Sequence, residues 1–505
     1  MSQSQLRFSE RESAILCVIS EYARSLTPEQ RVKLVELPDV GKDRPDDHYS
    51  MIFTRLLYKM GAIDHKGTIT IAHDAQERAD HTRQLNSGLG VANLPVATGT
   101  DERELYDGKY HSERPTQRQS QWMRDYRSGY YGGPVPSQEM TASKLWETAT
   151  TIDPRDLNST RALTVLATGG LKTLWLLLDK HPKLSDRDHI EKIVTQGGSE
   201  WVDGVLVPNF GGSNNKYARS ASTAMFKHAQ DRGISTATSW KETAYQTRIT
   251  AKVMNFFQKT GHSLTTLLST YATELPKVDW EDARYTRGNG VDIPYTVKTR
   301  LDYTQEVRTA QEDAYFAAGC PAGHTAEAFE SQRAAYAEKQ TDHDKECKHA
   351  ILSQDPYPDW DDPRFRVGDN YVLPMYDFWS VPQAVPDLAS RLDLFDDSAL
   401  QTWDSEGRHT CLGIEQIKEN GRVVVPGKGG LKDPAQAAFF FQTVIKAELL
   451  SAVMTSQANR DGLVTVTMMS EGERYRHVYI RGGDDVWRYN VYDTQAETSG
   501  AELSV

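Results

Sequence analysis

Apolar positions recur at helical spacing through most of this chain and alternate strictly only near its end. Residues 9–26 carry a helical pattern, and Thr27-Pro28-Glu29-Gln30 reads as an N-cap with proline at N1, opening a short second helix. A turn-rich stretch, residues 41–47, precedes a third helix running to about Met60, and residues 68–72 form a short strand. Residues 141–275 read as helices joined by the glycine turns Gly169-Gly170, Gly197-Gly198 and Gly211-Gly212. Residues 307–348 are predicted helical with a break at 319–323, and the apolar run 434–457 as a buried helix. Period-two alternation marks 463–469, 474–481 and 486–492 as a three-stranded meander.

Two long segments have neither period. Residues 86–136 are polar and rich in Arg and Tyr, and 351–404 are dominated by Asp and Pro; both read as irregular arms. The predicted fold class is therefore mainly α and multi-domain (α+β overall), with a small C-terminal antiparallel β-meander and long irregular arms. The implied divisions are 1–85, a helical module with a short strand; 86–140, the Arg/Tyr-rich arm; 141–350, a helical core; and 351–505, the acidic segment with its helix and meander. Three helices and then a strand at the N-terminus resembles the order of a winged-helix unit, although this segment is not basic. At 505 residues the chain is long enough for two to four domains.

A mean hydropathy of −0.60 points to much polar surface, and a net charge of −12 argues against general nucleic-acid binding and for a local patch at most. The four cysteines are scattered, which suits a reducing compartment. The N-terminus lacks a charged-then-apolar signal pattern. The most apolar run, residues 163–178, is broken by Gly169, Gly170 and Lys172 and is too short to span a bilayer. The expectation is a soluble intracellular protein, in a virion or host cytoplasm, that is not secreted and has no membrane partner.

The local patch stands out against the acidic background. If residues 240–259 form one helix, Lys241, Arg248, Lys252 and Lys259, seven, four and seven residues apart, fall within about 40° of one another. Tyr245 and Phe256 flank that line. The preceding helix, 216–230, places Lys216, Arg219 and Lys227 on one face, and residues 211–259 hold eight Lys/Arg against two acids. Cations without counter-charges suit phosphates, and aromatics suit stacked bases. Arg114, Arg118, Arg124 and Arg127 interleave with Trp122, Tyr126, Tyr130 and Tyr131 in the first arm and admit the same reading, or docking on a neighbouring subunit. The loop before Lys216, FGGSNNK, offers backbone N–H groups to a phosphate but lacks the full phosphate-loop pattern. The rival occupant of the stripe is the acidic segment 351–404 of the same protein.

Catalytic motifs are sparse. Cys320, His324, His343 and Cys347 have zinc-ligand chemistry in a C-x3-H and H-x3-C arrangement, but without a C-x2-C knuckle. Asp359, Asp361 and Asp362 could hold a divalent ion, yet the flanking Pro358 and Pro363 favour a turn. Pro426-Gly427-Lys428-Gly429-Gly430 lacks the Ser/Thr of a phosphate loop, and His409 with Cys411 lacks an orienting third residue. No catalytic residue, metal or cofactor is assigned. The function expected is a self-assembling viral coat or nucleocapsid protein: a large homo-oligomer contacting RNA without sequence preference through Lys216, Arg219, Lys227, Lys241, Tyr245, Arg248, Lys252 and Lys259. The alternatives are a metal-dependent nucleic-acid-processing enzyme, its site built from aspartates distant in sequence, and a non-assembling nucleic-acid-binding adaptor.

Overall fold

Short apolar runs, more than long amphipathic helices, organise this protein. The computed structural model describes residues 7–40, 45–72, 74–100, 105–106, 109–110, 140–152, 160–210, 212–247, 249–250, 252–269, 372–373, 375–415, 425–426 and 430–498. The chain divides into two units, one of Met1–Thr247, Phe257–Leu267 and Pro374–Val505, the other of Arg248–Phe256 and Leu268–Leu373. In the smaller unit the described residues include one antiparallel pairing, Ile249–Thr250 with Val372–Leu373.

The larger unit is built on a nine-stranded sheet. Its strands in chain order are Val32–Leu37 (β1), Ile63–Thr70 (β2), Val96–Thr98 (β3), Met140–Thr141 (β4), Leu163–Ala167 (β5), Ile190–Gln196 (β6), Ser235–Ser239 (β7), Leu400–Thr402 (β8) and His409–Leu412 (β9). Their order in space is β8-β9-β7-β6-β5-β1-β2-β3-β4. Every pairing is parallel except the β8–β9 edge. Parallel neighbours need crossover connections, and helices supply several of them: Asp46–Met60 (α2) after β1, Ala75–Gly88 (α3) after β2, Lys172–Lys180 (α5) after β5 and Arg219–Asp231 (α6) before β7. Two further helices, Glu10–Arg24 (α1) and Ala142–Thr150 (α4), precede β1 and follow β4.

The protein is therefore α/β, and the expectation of a mainly α fold is overturned. The reason lies in how parallel strands read. Buried on both faces, they show unbroken runs in place of alternation, and all six positions of β1 and all five of β5 are buried. The Thr27–Gln30 signal makes only a 3-10 turn, Pro28–Gln30, before the chain enters β1. No winged-helix unit forms there, because β1 and β2 lie parallel and adjacent in the large sheet.

Chain direction decides where a ligand site belongs. The path starts in the middle at β1, moves outward through β2, β3 and β4, then returns to the other side of β1 at β5 and continues outward through β6, β7 and β9. Connections from β1 and β5 thus leave in opposite directions, and in sheets of this kind ligands bind beyond the C-terminal strand ends at such a reversal.

Two buried ion pairs fix α2 against this frame. Glu36 on β1 pairs with Arg55 on α2, and Thr54 Oγ1 donates to the same carboxylate. Arg55 also donates to Thr68 Oγ1 on β2 (2.9 Å) and to Asn86 Oδ1 on α3 (3.0 Å). Burial pushes the Glu36 carboxyl up, but the Arg55 guanidinium with His65 outweighs it and holds it down at about 2. One turn further, Lys59 pairs at 2.7 Å with Glu448 on the long helix Pro434–Arg460 (α7). That helix and α1 pack with the C-terminal meander, Thr465–Met469 (β10), Tyr475–Arg481 (β11) and Trp487–Asp493 (β12). Removing one member of a buried pair strands the other charge. Arg55→Met should therefore cost about 3–5 kcal/mol in urea unfolding; a loss within error of zero would mean the pair is dispensable.

Candidate metal centre

The C-terminal end of β1 carries the sequence Pro38-Asp39-Val40, and α2 begins with Asp46-Asp47 in its first turn. Carboxylates favour that position because the helix N-terminus is electropositive. The end of β5 is tied to the same place. The backbone N–H groups of Thr168 and Gly169 both donate to Leu37 O at 3.2 Å. A Cβ on Gly169 would lie 2.6 Å from Ile71 Cδ1 and 3.0 Å from Asp39 Cβ, so only glycine lets the β5 turn come this close to Asp39. The fourth carboxylate comes from far along the chain: Asp377 sits in the turn before the helix Ser380–Ala384.

Ligand atoms of Asp46, Asp47 and Asp377 all lie within 4.8 Å of one another. These residues are only 8 %, 5 % and 4 % exposed, whereas Asp39 beside Asp47 is half-buried. Burial pushes the Asp47 carboxyl well above the usual aspartate range, with the charges of Asp39 and Asp46 adding to it. Burial does the same to Asp377, helped by Asp46, Asp47 and Asp39. Carboxylates this close together and this buried repel one another when ionised. The cluster must therefore take up protons or a cation. All its donors are oxygens, which suits a hard divalent ion such as Ca2+ or Mg2+ and not a thiolate- or imidazole-bound metal. Asp46, Asp47 and Asp377 would hold it, with Asp39 beside Asp47.

A polar shelf continues from this cluster along the strand ends. Thr168 Oγ1 donates to Asp47 Oδ1 at 3.1 Å. Asn214 Nδ2 donates to Thr168 O and to Gln196 Oε1, the latter at 2.9 Å. Asn215 Nδ2 reaches Gly198 O (2.9 Å) and Asn209 O (2.8 Å), and so ties the loop after β6 to the next one. The FGGSNNK loop thus uses its asparagine side chains to fasten strand-end loops.

The basic residues predicted to contact nucleic acid share no single helix. Residues 240–259 do not form one helix: they make Lys241–Gln246, the strand Ile249–Thr250 and Lys252–Gln258, so the continuous stripe of Lys241, Arg248, Lys252 and Lys259 has no single helix to run along. Lys259 is exposed, while the side chains of Lys241, Tyr245 and Lys252, and Arg248 as a whole, lie outside the described residues. Lys216 is half-buried; Arg219 is exposed, its guanidinium 5.1 Å from the Phe210 ring centre; Lys227 pairs with Asp231 at 2.7 Å. The zinc candidates Cys320, His324, His343 and Cys347 and the aspartates Asp359, Asp361 and Asp362 also lie outside them. Cys411 is no activated nucleophile, since burial pushes its thiol up to about 11. His409 instead bonds Thr236 Oγ1 at 3.0 Å within the sheet.

No family model matches the sequence, and no curated protein is significantly similar to it. Solved structures do resemble the fold. The type III effector protein XopQ, complexed with adenosine diphosphate ribose, is 17 % identical with a TM-score of 0.56, covering 88 % of this chain and 99 % of its own. The effector protein XOO4466 is 16 % identical with a TM-score of 0.57 over the same shares. A purine-preferring ribonucleoside hydrolase from Gardnerella vaginalis is 14 % identical with a TM-score of 0.42, covering 83 % of this chain and 99 % of its own. The architecture is that of the two effectors. With it the viral coat or nucleocapsid reading falls: it rested on a helical core with a continuous basic stripe, and the protein has a parallel sheet with a buried acidic centre.

The raised carboxyls set a sign for pH dependence. The native state keeps protons on Asp47 and Asp377 that the unfolded chain releases above 3.8. The cluster's stabilising contribution is therefore complete below that value and is lost as pH rises through the raised native values. In chelator, the unfolding midpoint of Asp47→Asn should gain on that of the parent as pH climbs from about 5 to about 8. A variant that falls further behind the parent over that range would show the cluster is not repulsive.

Proposed function

We propose that the larger unit holds a divalent cation on Asp39, Asp46, Asp47 and Asp377 and uses it to bind a ribose-bearing nucleoside or nucleotide, of the ADP-ribose class, for hydrolysis at its ribosyl bond. The observation that carries this reading is the buried carboxylate cluster at the point where strand order reverses. Support for the ligand class comes from XopQ, a protein of like fold complexed with adenosine diphosphate ribose.

When bound, a divalent ion supplies positive charge that anchors paired hydroxyls and makes a water easier to deprotonate. Asp46, Asp47 and Asp377, being buried, serve to hold it. Thr168 keeps one Asp47 oxygen in place, and Asn214 in turn fixes the Thr168 backbone. Asp39 is the most exposed of the four and is the carboxylate placed to accept a proton from water.

Calorimetric titration with CaCl2 and MgCl2 should find one site that Asp377→Asn weakens at least tenfold and that tightens as pH rises, because the ion displaces protons. ADP-ribose should bind with the cation and not in chelator, and release of the free base from nucleosides, and of adenine from ADP-ribose, should depend on both the cation and Asp39. Cation binding without ADP-ribose or nucleoside binding would leave the metal centre and remove the ligand class. ADP-ribose bound equally well in chelator would remove the metal-dependent reading.

A further inference from the structure

The C-terminal meander has two edges, and only one of them is capped. At the β12 edge, side chains of α1 take up the outward backbone groups of Val491: Ser20 Oγ accepts from its N–H at 3.0 Å, and Arg24 Nη1 donates to its carbonyl at 3.0 Å. β10 is the other edge. Val464 O accepts from the Arg481 N–H, and the Ser470 N–H donates to Tyr475 O, each at 2.9 Å. Ladder bonds alternate along an antiparallel pair, so Thr465, Thr467 and Met469 turn their N–H and C=O groups away from β11. Among the described residues nothing meets these groups.

An open edge is normally blunted by charge, proline or a bulge. β10 uses none of these. Its register with β11 is unbroken, and the run Leu463-Val464-Thr465-Val466-Thr467-Met468-Met469-Ser470 holds neither a charge nor a proline. Apolar surface lies beside it: Leu463, Val464 and Ile480 are 48 %, 64 % and 44 % exposed, and Ile480 stands opposite Thr465. A strand of this kind is a template on which a further strand pairs.

The sequence of β10 selects a copy of itself. Laid antiparallel about a two-fold axis at Thr467, two such strands set Thr467 against Thr467, Val466 against Met468 and Thr465 against Met469. The outward residues then face one another, and every open donor meets an open acceptor. Moving the axis one residue either way sets Met469 against Leu463, before the strand begins, or Thr465 against Glu471. In the register centred on Thr467 no like charges meet within the strand, in a chain whose net charge of −12 makes most self-contacts repulsive. A two-fold contact also uses each edge once and closes. We infer that the open edge of β10 is a homodimer interface, at which two copies of this chain join their meanders into one continuous antiparallel sheet. The interface is independent of the aspartate centre and of the reading given to it.

Sedimentation equilibrium of the full-length protein over a dilution series should show a reversible monomer–dimer equilibrium. Residue-resolved hydrogen exchange should find the amides of Thr465, Thr467 and Met469 protected at high concentration and fast on dilution, while those of Val466 and Met468, bonded to β11, change little. Thr467 is exposed, and Thr467→Lys and Thr467→Glu each set like charges face to face across the axis. Each should weaken the dimer at least tenfold. Mixed together, the two variants should form a heterodimer, since Lys then meets Glu, and that recovery shows that both fold. A monomer at every concentration would overturn the inference. So would a dimer that survives both substitutions or leaves the three amides fast, because its contact then lies elsewhere. Protection of those amides in a monomer would assign the edge to another segment of the same chain and overturn it equally.

Discussion

Repulsion among buried carboxylates is the constraint to which the rest of this structure answers. Asp46, Asp47 and Asp377 are brought together with little access to water, and such an arrangement lowers the stability of any fold that lacks a proton or cation to place among them. The frame around them is correspondingly stiff. α2, which carries two of the acids, is pinned to β1, β2 and α3 through Arg55 and to α7 through Lys59. These buried pairs are not the source of the protein's stability. They fix one helix in one register against the strand that bears Asp39. Glu36 and Asp39 are three residues apart, so a clamp at the former limits movement at the latter.

What was legible in the sequence follows the same physics. α1 could be placed because its apolar positions recur at helical spacing; the structure adds a capping box of Ser9 and Glu12 at its start. The meander β10 to β12 could be placed because one face is buried and the other wet, as in the alternating burial of Tyr475–Arg481 and Trp487–Asp493. The parallel strands could not, because a strand buried on both faces has no period to detect. Leu163–Ala167 runs straight into Gly169, Gly170 and the helix Lys172–Lys180, and by composition the whole stretch reads as one apolar element. The glycine doublets at 169–170 and 197–198 are not the helix-to-helix turns that the sequence pattern predicts. They close strand-to-helix and strand-to-strand turns, where close backbone approach is needed: a Cβ on Gly198 would lie 2.5 Å from the Trp240 ring.

The site was hidden for a different reason. Asp39 and Asp46-Asp47 flank a segment that reads only as turn-rich, and acidic residues in turns are ordinary. The informative pattern was an apolar run ending in an acid, followed within a few residues by an acid pair at a helix start. That pattern has meaning only once the run is known to be a strand. Asp377 was beyond reach altogether, since nothing local distinguishes it from the other aspartates of the acidic segment. Basic charge is concentrated locally at 211–259 and is legible in the sequence, whereas the acids of the centre lie up to 338 positions apart in the chain, at Asp39 and Asp377.

That distance has a physical consequence. A ligand delivered from far along the chain must be held by packing, and Asp377 is. Phe378, next to it, stacks on Phe53 of α2 at 5.1 Å and meets Phe441 of α7 edge-on at 4.8 Å. Trp379 donates its indole N–H to Thr247 Oγ1 at 2.9 Å, and Gln383 bonds Ser239 at the end of β7. The fourth carboxylate is thus set by contacts to α2, α7 and the sheet, and forms no local motif with the other three. A site of that construction exists only when those elements have docked, because an unfolded chain has no means of holding Asp377 beside Asp46. An ion that binds there binds the native state alone, so its affinity adds to folding stability by mass action. The repulsion that the fold must otherwise absorb becomes, with a cation present, a source of stability.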